Sequence, residues 1–177
     1  MATNVETTSQ TTTIIKRSKR IFSVALLALV TTFCSRTDGA LFSEFQSTNG
    51  DWQVSDVKKF TFEQKDSLEK YNVYLQLQAN NNYPFSNIFL IAKIHTPDSK
   101  TYTDTLQYVM TDETGKLLGD GFTDTKTSKL LYKENYSFAQ NGIYTIEVEQ
   151  AVRKAEDVEG ITELEGITGV GLTIEKQ

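Results

Sequence analysis

The sequence predicts an all-β fold: a single antiparallel β-sandwich, jelly-roll or Ig-like, of seven to eight strands behind an N-terminal signal segment. Three observations carry this. Several short segments alternate apolar and polar residues, the period of a strand with one buried face. Clusters of turn residues separate those segments at regular spacing, as in sandwiches and barrels. Helical periodicity is weak: only "EQKDSLEKY" (63–71) and "QAVRKAEDV" (150–158) have room for a turn or two.

The strands follow in order. "FTF" (Phe60–Phe62) is the expected first strand. In "YNVYLQLQA" (71–79), Val73, Leu75, Leu77 and Ala79 share one face, and Asn72, Tyr74, Gln76 and Gln78 share the other. Antiparallel sheets with one solvated face give this alternation. "IFLIAKIHT" (88–96) is almost continuously apolar up to Lys93, which predicts a central strand. Pro97 and Asp98 turn the chain, and "TYTDTLQYVM" (101–110) returns as its partner. After the turn "TDETGK" (111–116), "SKLLYK" (128–133) reads as an edge or crossing strand. "QNG" (140–142) leads into "IYTIEVEQ", with Tyr144, Ile146 and Val148 inward. "GVGLTIEK" (169–176) closes the chain with Val170, Leu172 and Ile174 on one face. The tetrapeptide "EGIT" occurs at 159–162 and again at 165–168. A spacing of six is too short for a solenoid, so it reads as a small duplication that lengthens the loop before the last strand, an inert insertion in preference to a binding loop.

The N-terminus has its own logic. Lys16, Arg17, Lys19 and Arg20 form a basic cluster, and the thirteen residues "IFSVALLALVTTF" (21–33) carry no charge. A membrane-spanning helix needs about 20 apolar residues. This shorter run matches the h-region of a secretory signal. The leader before it is longer than a signal needs: either the start lies downstream or the n-region is extended. Cys34, the single cysteine of the chain, follows the run directly. "VTTFC" is similar to the lipobox of bacterial lipoproteins, whose cysteine becomes the acylated first residue of the mature chain. It departs from that pattern at Thr31 and Phe33. An ordinary cleavage near Asp38–Ala40 and an incidental thiol are the competing readings. The favoured division is a lipoprotein-type signal peptide at 1–33, a lipidated N-terminus and tether at 34–51, and the sandwich at 52–177.

Composition excludes several functions. Removing residues 1–33 takes away four basic residues and one acid, moving the formal net charge from −5 to −8. Such a chain is a poor nucleic-acid ligand. With one cysteine and one histidine, neither the zinc patterns nor a Cys–His nucleophile can be assembled. There is no G-x-S-x-G and no Walker A. Asp112, Glu113, Asp120 and Asp124 lie near glycines but off the spacing of a calcium loop; a hairpin with polar tips explains them. His95, at a strand end, reads as an ordinary edge histidine. No enzyme, cofactor or metal is expected. Trp52, Tyr83 and Phe85 sit in connecting segments. Such aromatics either contact a partner or glycan or plug the end of a sandwich, which is the favoured reading.

Four stretches, in this order, give a sharper indication: "YPFSNIFLIAKIHTPDSKTYTDTLQYVM", "DETGKLLGDG", "NGIYTIEVEQAVR" and "LEGITGVGLTIEK". In them the chain resembles gliding-motility lipoproteins of the GldH type, found in Bacteroidetes. Asp104, Thr105, Leu106, Gly115, Gly119 and Arg153 fall on recurring positions of that family. The resemblance implies a lipid-anchored cell-envelope protein on the outer membrane, facing the periplasm. It implies a part in the gliding machinery and the linked type IX secretion system. Its partners would be the membrane, through the anchor, and other proteins of those machines. It implies no catalysis and carries over one site residue, Cys34. The alternative is a carbohydrate-binding or surface-glycan-handling sandwich. A concave, aromatic-lined sheet face would favour it, whereas a flat apolar patch with a polar rim would favour the interaction module.

Overall fold

In a computed structural model, residues 39–121, 124–153 and 160–177 are described. The signal segment 1–33, Cys34, residues 35–38 of the expected tether and part of the first "EGIT" lie outside them. Ten strands occur: β1 (Ala40–Ser47), β2 (Asp51–Gln53), β3 (Lys58–Gln64), β4 (Tyr71–Asn80), β5 (Asn87–His95), β6 (Thr101–Val109), β7 (Thr125–Tyr136), β8 (Gly142–Gln150), β9 (Glu163–Glu165) and β10 (Ile167–Lys176). No helix forms among the described residues; the stretch 63–71 ends β3, turns and starts β4.

Eight strands build two antiparallel sheets, in the orders β1-β10-β4-β7 and β3-β8-β5-β6, while β2 and β9 form a short ribbon. The pairing resolves the topology. The first of the eight pairs with the last (β1 with β10), the second with the seventh (β3 with β8), the third with the sixth (β4 with β7), and the fourth with the fifth (β5 with β6). The chain is thus one long hairpin rolled up, with β10 also joining β4 and β8 also joining β5. That is a jelly roll and not an Ig-like sandwich.

The core follows from the alternation. Val73, Leu75 and Leu77 of β4, Ile146 and Val148 of β8, and Val170, Leu172 and Ile174 of β10 are fully buried. Each contributes about 1.5–3 kcal/mol by leaving water. An aromatic cluster bridges the two sheets at one end. Phe62 stacks on Tyr144 at 5.8 Å, and Phe138 packs edge-on against Phe62, Tyr136 and Tyr144 and tilted against Tyr71. The chain enters the domain at this end, where Gly39 O accepts from Lys176 N at 3.0 Å.

Two expectations are corrected. The sandwich begins at Ala40, not at Trp52: β1 pairs with β10 from Ala40↔Glu175 to Ser47↔Gly169. Much of the stretch read as tether is therefore an edge strand. The second "EGIT" is not an inert insertion. Its Glu165 ends β9, Gly166 makes the corner at φ +81°, and Ile167 enters the core.

Candidate interaction surface

The sequence singled out three aromatics. Trp52 is wholly buried opposite Leu164, and its Nε1 donates to Asp56 O at 2.8 Å. Tyr83 is also buried; its hydroxyl donates to Asn87 O at 2.7 Å, and burial holds its pKa well above the usual tyrosine value. Phe85 is half-buried, edge-on to Tyr83 at 5.9 Å. Trp52 and Tyr83 thus close the end of the sandwich opposite the chain entry, and only Phe85 of the three reaches solvent. Cys34 lies outside the described residues.

The outward faces of the sheets differ. On the first sheet the polar side chains satisfy one another. Ser43 and Thr173 bond across β1 and β10 at 3.2 Å, and Thr168 Oγ1 donates to Gln78 Oε1 at 2.9 Å. Lys129 Nζ pairs with Glu175 at 2.8 Å and lies 4.2 Å from the Tyr74 ring centre. Phe45 lies flat over Gly169 and Gly171, where a Cβ would overlap its ring.

The second sheet is charged at one end and apolar at the other. Lys59 pairs with Glu147 at 2.7 Å and Lys93 with Glu149 at 2.5 Å. The bond to Lys59 holds the Glu147 carboxyl below its usual pKa, and the bond to Glu149 raises the Lys93 ammonium. His95 Nδ1 lies 2.9 Å from Thr101 Oγ1, and its Nε2 stands 3.3 Å from Glu147 Oε2. Toward the far end the pattern of β5 explains what changes. Ile88, Leu90, Ala92 and Ile94 all point into the core, so Phe89 and Ile91 must point outward. The continuous apolar run of β5 is therefore two rows, and the outer row is not used by the core.

Phe89, Ile91, Thr105, Ala151 and Arg153 line a concavity of about 380 Å³ on this outer face. The β5–β6 register sets Phe89 beside Gln107 and Ile91 beside Thr105. Val109, well exposed, extends the apolar surface on the same side of β6. Arg153 follows β8, held by a backbone bridge to Gly160, and pairs with no carboxylate among the described residues. The result is an apolar floor with the Arg153 cation and the Thr105 hydroxyl on it and the Lys93–Glu149 pair beside Ile91. No group of His, Asp and Glu among the described residues is close enough to share a metal ion. Of the acids near Gly115, Asp112 is occupied in the turn itself: its Oδ1 accepts from Thr114 N and Lys116 N at 2.9 and 3.0 Å.

Residues 40–174 match the family described as GldH lipoprotein, from the first residue of β1 to within β10. The chain belongs to the GldH lipoprotein family. It is 43% identical over 155 residues to the gliding motility lipoprotein GldH of Flavobacterium johnsoniae, covering 87% of this chain and 95% of that one. It is 43% identical over 144 residues to a gliding motility lipoprotein GldH homolog of Christiangramia forsetii, covering 81% and 88%. Among solved structures, the VP2 subviral particle of infectious bursal disease virus aligns at a TM-score of 0.34 with 12% identity. That alignment covers 76% of this chain and 32% of the viral one, and is too weak to bear on function. The GldH match spans the jelly roll with β1 included. Two of the residues that carry the GldH resemblance, Thr105 and Arg153, line the concavity. Asp104 lies on the opposite side of β6, toward β7.

Proposed function

We propose that this chain is a non-catalytic, lipid-anchored component of the gliding motility machinery and the linked type IX secretion system. Cys34 is its anchor, on the outer membrane and facing the periplasm. The jelly roll works as a docking module, and its partner seats an apolar side chain against Phe89 and Ile91 with a carboxylate on Arg153. The observation that carries the reading is the outward apolar row of β5, which the core does not use. Apolar patches of this kind with polar rims are where proteins meet proteins. The carbohydrate reading asks for a sheet face lined by several exposed rings; the concavity presents one, Phe89, beside aliphatic Ile91 and Ala151, and Trp52 and Tyr83 are turned inward, so we favour a protein partner.

The test is crosslinking and capture from native membranes with wild type and Ile91→Glu. Ile91 is half-exposed, so the substitution places its charge at the surface and leaves the core intact. We expect the crosslinked partner to be lost, and gliding with it, at an unchanged Tm. Capture of the same partner in equal yield by Ile91→Glu would reject this face.

A further inference from the structure

We infer that the loop joining β3 to β4 is a second membrane contact, with Leu68 entering the bilayer surface. This rests on the anchor reading of Cys34 and adds a surface and an orientation to it. Leu68 is 90% exposed, against 42–63% for the other exposed large apolar side chains among the described residues. The loop is built to hold it out. Asp66 Oδ1 accepts from Leu68 N at 3.1 Å, and Asp66 O accepts from Glu69 N at 3.3 Å and from Gln64 Nε2 at 2.7 Å. One exposed leucine is ordinary on a protein surface; what gives this one a partner is where its loop lies.

The place of the loop names the partner. Gln177 N donates to Lys70 O at 3.1 Å, Lys176 Nζ pairs with Glu69 at 2.8 Å, and Lys176 N donates to Gly39 O at 3.0 Å. The loop therefore lies beside the point where the chain enters the domain. Five residue steps from Cys34 to Gly39 reach at most about 18 Å. The ten-residue strands β4 and β10 span about 33 Å. A leash shorter than the domain keeps the entry end at the bilayer and holds the far end away. Leu68 then meets lipid, and the Phe89–Arg153 concavity, toward the other end, stays free for a partner.

Charge completes the description. Lys65 pairs with Glu63 at 3.3 Å and Lys100 with Asp98 at 2.7 Å, and Lys176 is paired with Glu69. With Asp66, Lys70 and Glu134, which the β4–β7 register places beside Asn72, the acids of this end outnumber its bases by one. The contact is therefore apolar, with lysine stems reaching up to the headgroups, and it does not need anionic lipid. A single leucine does not hold a domain to a membrane; here the acyl anchor supplies the high local concentration and the leucine sets the orientation.

The test uses full-length acylated protein in phosphatidylethanolamine vesicles, with and without phosphatidylglycerol. An environment-sensitive dye is attached at Leu68→Cys or, at the opposite end, at Glu113→Cys. The mass of each purified protein reports acylation of Cys34. Nitroxide lipids labelled near the headgroup should quench the dye at 68 several-fold more than at 113, with or without the anionic lipid. Equal, weak quenching at both positions in protein of acylated mass overturns this inference alone. Quenching at 68 only when anionic lipid is present overturns its apolar character. Wild-type protein with an unmodified Cys34 overturns the anchor reading, and this inference falls with it.

Discussion

The Tyr132 hydroxyl donates to Asp104 Oδ2 at 2.7 Å, tying the edge strand of one sheet to the edge strand of the other. Lys133 Nζ reaches the same oxygen at 2.9 Å, and Tyr108 on β6 donates to Leu131 O on β7 at 2.9 Å. β6 and β7 are consecutive in the chain but belong to different sheets, so no ladder bond joins them. These side-chain bonds do it instead. Burial and the bond to Asp104 raise the Tyr132 hydroxyl far above its usual pKa, so it stays a donor throughout the physiological range.

Asp104→Asn is expected to lower stability by about 1 kcal/mol at pH 7. The bond to a charged acceptor is worth more than that, but a third of the carboxylate is exposed and solvent screens it. Desolvation pushes the Asp104 carboxyl upward, yet the bonds from Lys133 and Tyr132 outweigh it and leave the folded-state value lowered. The contribution is therefore complete above the unfolded value of about 4 and is lost as pH falls through the lower folded value. Urea unfolding at pH 7 should separate the two proteins, and the gap should close toward pH 2. A gap that does not depend on pH would rule out the carboxylate as its source.

The two copies of "EGIT" should respond oppositely to the same change. Gly166 sits at φ +81°, and a Cβ there would fall 2.7 Å from Tyr83 Cα and overlap the Tyr83 amide. Backbone cannot swing aside as a side chain can. Gly160 lacks the left-handed φ, and its nearest neighbour, Val152 O, is 3.6 Å away. Gly166→Ala should cost more than about 3 kcal/mol, and Gly160→Ala should be near neutral. Thermal unfolding of both variants decides it: equal Tm values would mean that the β9–β10 corner is not the constraint described.

His95→Ala should leave gliding intact and change stability by less than about 1 kcal/mol. The imidazole bonds Thr101 at the strand end, and Glu147 keeps its Lys59 partner without it. Motility assays at matched protein abundance test this. Loss of gliding by a stable, normally abundant His95→Ala protein would give the residue a role that its surroundings do not indicate.

These sites show what a sequence displays and what it hides. β4, β8 and β10 were legible because each has one face in the core and a period of two. β1 was not, because its alternation breaks: Phe42 packs on the core, whereas Phe45 turns outward over Gly169 and Gly171, and the register shifts between Ala40 and Phe42. β2 and β9 are three residues each, below the length at which a period can be seen. Jelly roll and Ig-like sandwich share their strands and differ only in long-range pairing, which leaves no local signal. The concavity did leave one. The apolar residues of β5 exceed what one core face can use, and Phe89 and Ile91 are the excess. Leu68 stands among charges in a stretch with a weak helical pattern, where the relevant fact is one isolated leucine and not a period.

Cys34→Ala should abolish lipid attachment and leave the jelly roll standing. The strand order closes between Ala40 and Lys176, and no described residue depends on the thiol. Two acyl chains at about 0.8 kcal/mol per buried methylene amount to roughly 20 kcal/mol, effectively permanent, whereas a single myristoyl chain is marginal. Loss of the anchor should therefore be all-or-none: no palmitate label, and either uncleaved precursor or soluble product. Leu68 alone should not retain the soluble product on membranes, because without the leash its local concentration at the bilayer disappears. Circular dichroism and Tm of that product should match those of the wild-type domain. Palmitate labelling followed by membrane fractionation decides the rest. A Cys34→Ala protein that is labelled and fractionates like wild type would place the acyl chain elsewhere, and Phe33, too large for the usual position before a lipoprotein cysteine, would be the residue that explains why.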